Sequence, residues 1–184
     1  GGLVDGLLGR VGREEPERVG LGRKSAEGAG GRLWIGTMGG GLNRYEPRTG
    51  SFLRVTAIGL QSHVVTALHA DPAGRFWIGT SGGGLNRLAP GASRFEVFRH
   101  DPRDADSLGS DSVMSLYEDS AGDVWVGTFG GGAARFDRAR GSFQRFPHDP
   151  AVASSLSSPR VTATLACSGS RPVAKALRAV SSMT

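Results

Sequence analysis

Trp34-Ile35-Gly36-Thr37-Met38-Gly39-Gly40-Gly41-Leu42-Asn43-Arg44 occurs three times in this chain. It returns at 77–87 as WIGTSGGGLNR and more loosely at 125–135 as WVGTFGGGAAR. The tryptophans stand 43 and 48 residues apart. A period near forty with glycine-rich punctuation is the signature of a β-propeller blade. The reading is therefore all-β: a propeller fragment of about three four-stranded antiparallel blades, forming an open arc.

The second repeat spells out a blade. Residues 64–68 (VVTAL) are a short β-branched apolar run, read as a buried inner strand. Asp71-Pro72-Ala73-Gly74 is a turn, with proline presetting φ and glycine free to take positive φ. Residues 75–80 (RFWIGT) are the second strand, and Gly82-Gly83-Gly84 lets the backbone reverse tightly. Residues 85–88 are the third strand. Residues 95–98 (FEVF) alternate as a half-exposed outer strand does. The third repeat follows the same order with strands at 113–117, 124–128, 133–136 and 143–146. The extra residues between its tryptophan and the preceding one fall mainly in the polar connection 100–111.

The first repeat supplies strands at 33–37, 42–45 and 52–55. Its inner strand is expected about ten residues before Trp34, where 21–26 (LGRKSA) has no strand character. A fourth repeat begins at His148-Asp149-Pro150 and offers an inner strand at 161–165, after which the pattern stops; 172–180 reads as a weak helix opened by proline. The organisation expected is an irregular segment over 1–30, blades over 31–165 and a diverging tail over 166–184. Three blades do not close a ring, because propellers hold at least about four.

Composition narrows the function. The 184 residues include 30 glycines without a Gly-X-Y period, so they serve turns rather than collagen. The net charge of +5 is concentrated after position 150, where four basic and no acidic side chains lie. Residues 31–150 carry thirteen basic and twelve acidic side chains, so the repeats make no electrostatic case for nucleic acid. The single cysteine, Cys167, excludes an intramolecular disulfide and a cysteine-rich metal site. No stretch approaches the roughly 20 apolar residues of a membrane-spanning helix, and residues 1–10 do not read as a signal peptide.

Candidate chemistry is sparse. The triple glycines are not phosphate cradles, since no Lys-Ser/Thr follows and no helix begins there. His63 and His69 bracket an inner strand; His100 and His148 head polar turns. None has zinc-type spacing. Asp101, Asp104, Asp106 and Asp111 share one connection but lack calcium-loop spacing and its closing glutamate. Trp34, Trp77 and Trp125 each sit in an apolar strand and are read as core. Asn43 and Asn86, with Arg44 and Arg87, recur in register, which points to a structural role between blades. No catalytic, cofactor-binding or metal residue is assigned, no cofactor is implied, and the ligand-binding residues are left open.

These residues resemble the two-component regulator propeller repeat. Residues 31–52 (GRLWIGTMGGGLNRYEPRTGSF) match its pattern almost throughout, with Glu46 where aspartate is usual. Residues 100–108 (HDPRDADSL) and 148–156 (HDPAVASSL) match its connection. The third copy departs at Ala133 and Ala134, where Leu-Asn is expected. The resemblance implies a non-catalytic, extracytoplasmic sensor propeller of hybrid histidine kinases, not an enzyme, with a carbohydrate-type small ligand. Further blades are the implied protein partners and no nucleic acid is; apart from the resemblance, the inner strand offered at 161–165 is placed to complete the first blade of a second copy of the chain, six blades in all. Two other readings stand beside it: part of a propeller lyase or glycan-active enzyme, and the product of a disrupted gene without independent function.

Overall fold

The computed structural model describes residues 25–28, 32–55 and 59–162. Among them twelve strands form three separate four-stranded antiparallel meanders. Blade 1 comprises β1 (Ser25–Gly28), β2 (Arg32–Thr37), β3 (Gly41–Glu46) and β4 (Ser51–Arg54). Blade 2 comprises β5 (Val65–Ala70), β6 (Phe76–Thr80), β7 (Leu85–Leu88) and β8 (Glu96–Phe98). Blade 3 comprises β9 (Val113–Glu118), β10 (Val124–Thr128), β11 (Ala133–Asp137) and β12 (Ser142–Phe146). The inner strands are neighbours, β5 lying against both β1 and β9. The three sheets are an open arc, as the repeat count requires.

One expectation is corrected. Residues 25–28 form β1, paired with β2 through Ser25–Ile35, Ala26–Trp34, Glu27–Leu33 and Gly28–Arg32. Blade 1 thus has an inner strand that its sequence, SAEG, does not advertise. An edge position explains this: backbone pairing with β2 forms the strand without an apolar run of its own. The weak helix expected at 172–180, the whole tail at 166–184 and residues 163–165 lie outside the described residues. Val161 is described, and its N–H donates to the Thr128 carbonyl at 2.9 Å.

The strand Phe-Trp-Ile-Gly-Thr is buried throughout because it is shared between two seams. Side chains alternate across a strand with period two. Phe76 and Ile78 therefore point into the cluster with Leu42, Val65, Leu68 and Phe95, where Trp34 packs at 5.1 Å from the Phe76 ring. Trp77 points the other way, into a cluster with Leu85, Leu108, Val113, Val124, Val126, Phe136 and Phe143. That second seam is an aromatic cluster in edge-to-face contact. Trp77 lies 5.1 Å from Phe136, Phe98 lies 5.2 Å from Phe136, and Phe98 lies 5.5 Å from Phe143.

The glycine of each WIGT or WVGT faces the next inner strand. A Cβ on Gly79 would stand 2.6 Å from Val113 Cγ1, and a Cβ on Gly36 would collide with Val65 Cγ1. On Gly127 it would meet Val161. Three successive valines are thus seated on three successive glycines, and Val161 occupies the place where a following blade begins.

Candidate functional site

The D-x-x-G turn and the tryptophan are one device. Asp71 is 4% exposed. Its Oδ1 accepts the Arg75 N–H at 2.9 Å, while Oδ2 accepts Arg75 Nε at 2.6 Å and Trp77 Nε1 at 3.1 Å. Asp119 repeats the arrangement, Oδ2 accepting Trp125 Nε1 at 2.8 Å. Burial opposes the charge on Asp71, but the hydrogen bonds from Trp77 and Arg75 and the Arg75 charge outweigh it and hold the carboxyl below its ordinary range. Both aspartates stand six residues before their tryptophan; Gly28 occupies that place before Trp34. This spacing was the unread signal in the sequence.

A polar cluster caps the same end of the seam between blades 2 and 3. The first and third strands of a blade end on the same side, which brings His69 at the end of β5, Glu118 at the end of β9 and Arg138 just after β11 together. His69 Nε2 lies 2.7 Å from Glu118 Oε2, and Arg138 donates to Glu118 Oε1 at 2.8 Å. Arg138 also lies 3.8 Å from Asp71 Oδ2. The two carboxylates are inside, with side chains 0% and 9% exposed. The three bases reach outward, His69 and Arg75 at 25% and Arg138 at 33%. Arg75 and Arg138 therefore keep guanidinium N–H groups beyond those that bond the buried carboxylates, beside the partly exposed His69 ring.

The other sequence candidates are structural. Thr37, Thr80 and Thr128 each donate Oγ1 to the carbonyl of Gly41, Gly84 or Gly132, at 2.9, 2.9 and 2.8 Å, closing the triple-glycine turn. The glycine amides then dock the next connection: Gly39 and Gly41 donate to the His63 carbonyl, Gly84 to Asp111, and Gly130 and Gly132 to Pro159. His63 itself is exposed. Asn86 is fully buried, yet its Nδ2 contacts Ile78 and Gly84 carbonyls of its own blade at 3.4 Å, so its role lies within the blade. Arg87 does span the seam, its guanidinium 5.2 Å from the Trp77 ring and 5.3 Å from that of Phe136.

The HDP connection is a clasp. His100 Nδ1 bonds the Leu108 carbonyl at 2.7 Å; Ser107 Oγ accepts from the Asp101 N–H at 2.9 Å and donates to the Asp101 carbonyl at 3.0 Å. His148, Asp149, Ser155 and Leu156 form the same set. Asp101 and Asp104 accept N–H groups within the loop, and Asp111 pairs with Arg99 at 2.6 Å. Among the described residues no three His, Cys, Asp or Glu side chains are placed to hold a metal. Cys167 lies outside the described residues.

Consecutive meanders, each with a glycine turn between its second and third strands and packed face to face, define a β-propeller of the repeat type. The model of the family described as two-component regulator propeller matches residues 59–82 and 107–130, so this chain carries two-component regulator propeller repeats. No curated protein matches the sequence. Among solved structures, the protein is similar to the extracellular domain of what is described as the hybrid two-component system BT3049 from B. thetaiotaomicron, at 23% identity and a TM-score of 0.63 over 77% of this chain and 20% of that one. It is similar to the corresponding domain of BT4673 from the same organism, at 24% identity and a TM-score of 0.60 over 75% of this chain and 18% of that one. At these identities the likeness is one of fold. The chain spans about a fifth of the length of these relatives. Among the described residues no helix is long and apolar enough to cross a membrane.

Proposed function

We propose that the protein is a ligand-sensing propeller segment that acts outside the cytoplasm and carries out no catalysis of its own. The observation behind this reading is the cluster at the seam of blades 2 and 3. Buried Asp71 and Glu118 fix His69, Arg75 and Arg138, and the two partly exposed guanidinium groups keep donors to spare. Donors held in place before binding lose little freedom when a ligand arrives. The same side chains engage the two carboxylates, so the open surface presents the guanidinium N–H groups of Arg75 and Arg138 beside the His69 ring. Such a surface suits the hydroxyl and carboxylate oxygens of a small carbohydrate fragment. The repeat family, and a fold shared with extracellular domains of two-component systems, favour the same assignment.

Calorimetric titration with neutral and uronic-acid oligosaccharides tests the proposal. Binding at micromolar to millimolar Kd is expected, weakened at least about tenfold by Arg138→Ala. Unchanged affinity in Arg138→Ala, or cleavage of the added oligosaccharide, would remove this reading.

A further inference from the structure

The two HDP clasps have the same internal hydrogen bonds but different surroundings. The first is locked from outside by Arg145 of β12. Its guanidinium donates to the Ser107 carbonyl at 2.7 Å, the Asp104 carbonyl at 2.5 Å and the Asp101 carbonyl at 3.3 Å, and to Ser107 Oγ at 2.5 Å. This seats the outer strand of blade 3 on the connection that leads into it. In the second clasp no arginine is bonded to the matching carbonyls of Asp149, Val152 and Ser155 among the described residues.

An arginine of the right register stands at the opposite end of the arc. Arg145 pairs with Ala134 of β11, and Arg54 pairs with Asn43 of β3, the equivalent position. Arg54 is exposed, and its side chain has no hydrogen-bond or ion-pair partner among the described residues. Blade 2 has Val97 there, paired with Asn86. The connection into blade 2 contains no HDP sequence, whereas the connection into blade 3 does. Arginine therefore accompanies the clasp where both are seen.

The rest of the open face of blade 1 copies the seam face of blade 3. The Tyr45 and Phe52 rings lie 5.2 Å apart, as do Phe136 and Phe143. Phe143 is 3% exposed beneath blade 2, while Phe52 is 57% and Leu33 39% exposed. At the far end, Trp125 stacks on Phe146 at 5.2 Å with Arg135 over its ring, repeating Trp77, Phe98 and Arg87.

From these matches we infer that the chain associates head to tail with a second copy of itself. Blade 1 of one copy takes the place that blade 3 takes on blade 2, and Arg54 enters the clasp formed by His148, Asp149, Ser155 and Leu156 of the other. Val161, seated on Gly127, then lies beside β2 of the second copy, at the place β1 holds in the single chain. Two such contacts close a ring of six blades, an ordinary propeller size.

Light scattering after size exclusion, from 1 to 100 µM, reads the outcome. Twice the monomer mass is expected at the upper concentrations. Arg54→Ala should weaken association at least about tenfold, since it removes charge-assisted hydrogen bonds at a central contact. Phe52→Asp should abolish it. Arg54 is exposed, so circular dichroism of Arg54→Ala should match the parent and separate loss of contact from loss of fold. In a Cys167→Ser background, mixing Arg54→Cys with Val152→Cys should give a disulfide-linked pair. A monomer throughout, an oligomer indifferent to Arg54→Ala, or no cross-linked pair would each overturn the inference.

Discussion

Asp71 shows how a single side chain couples turn, strand and seam. It accepts from the Arg75 backbone, the Arg75 guanidinium and the Trp77 indole, and the ring so fixed packs on Phe136 of the next blade. Its folded pKa is depressed from 3.8, so its contribution is fully present above that pH and is lost as pH falls through the lower folded value. Thermal scans should show stability declining below about pH 4, with a shallower decline in Asp71→Asn. Asp71→Ala strands a buried indole N–H and should cost about 1–3 kcal/mol, read from denaturant midpoints. Gly79 is constrained differently. Any Cβ there meets Val113 Cγ1 at 2.6 Å, so Gly79→Ala should push blade 3 outward and cost about 1–3 kcal/mol.

Among the elements, the clasp and the strand alternation carry the most weight. Arg145→Ala should free the loop that Arg145 pins through four acceptors, at a cost of about 1–3 kcal/mol. Hydrogen exchange should show faster exchange at the Ser107 amide, with β9 and β10 little changed. Most strand positions were legible from sequence: β7 and β10 fall at the residues expected, and the others apart from β1 differ by one or two at an end. The reason is that alternating apolar residues and glycine turns are local signals. β1 was not legible, since SAEG has neither alternation nor branched residues and is held by its pairing with β2. The polar cluster was hidden for a related reason. His69, Glu118 and Arg138 are up to 69 residues apart in sequence. Only the common end of the first and third strands brings His69 and Arg138 each within 3 Å of Glu118.

For the whole molecule, stability should be uneven. Repeat arrays are held by nearest-neighbour seams. The seam of blades 2 and 3 has an aromatic cluster roofed by Arg87, while that of blades 1 and 2 has one aromatic pair, Trp34 with Phe76. Native-state hydrogen exchange should therefore find β2–β4 opening at lower free energy than β9–β11. Phe136→Ala, at the centre of the stronger seam, should cost about 3–5 kcal/mol and reduce the difference.

The sequence by itself determined the blade. A motif recurring at about forty residues sets four strands, their turns and the burial of WIGT, because each depends on residues a few positions apart. The tertiary structure alone decided what those residues do for one another. Tryptophan is tethered by an aspartate, glycine makes room for the next valine, and arginine locks a clasp built in the preceding connection. The tether lies within one blade, but the last two need neighbouring units packed together, and the geometry of a seam is not encoded within any one repeat.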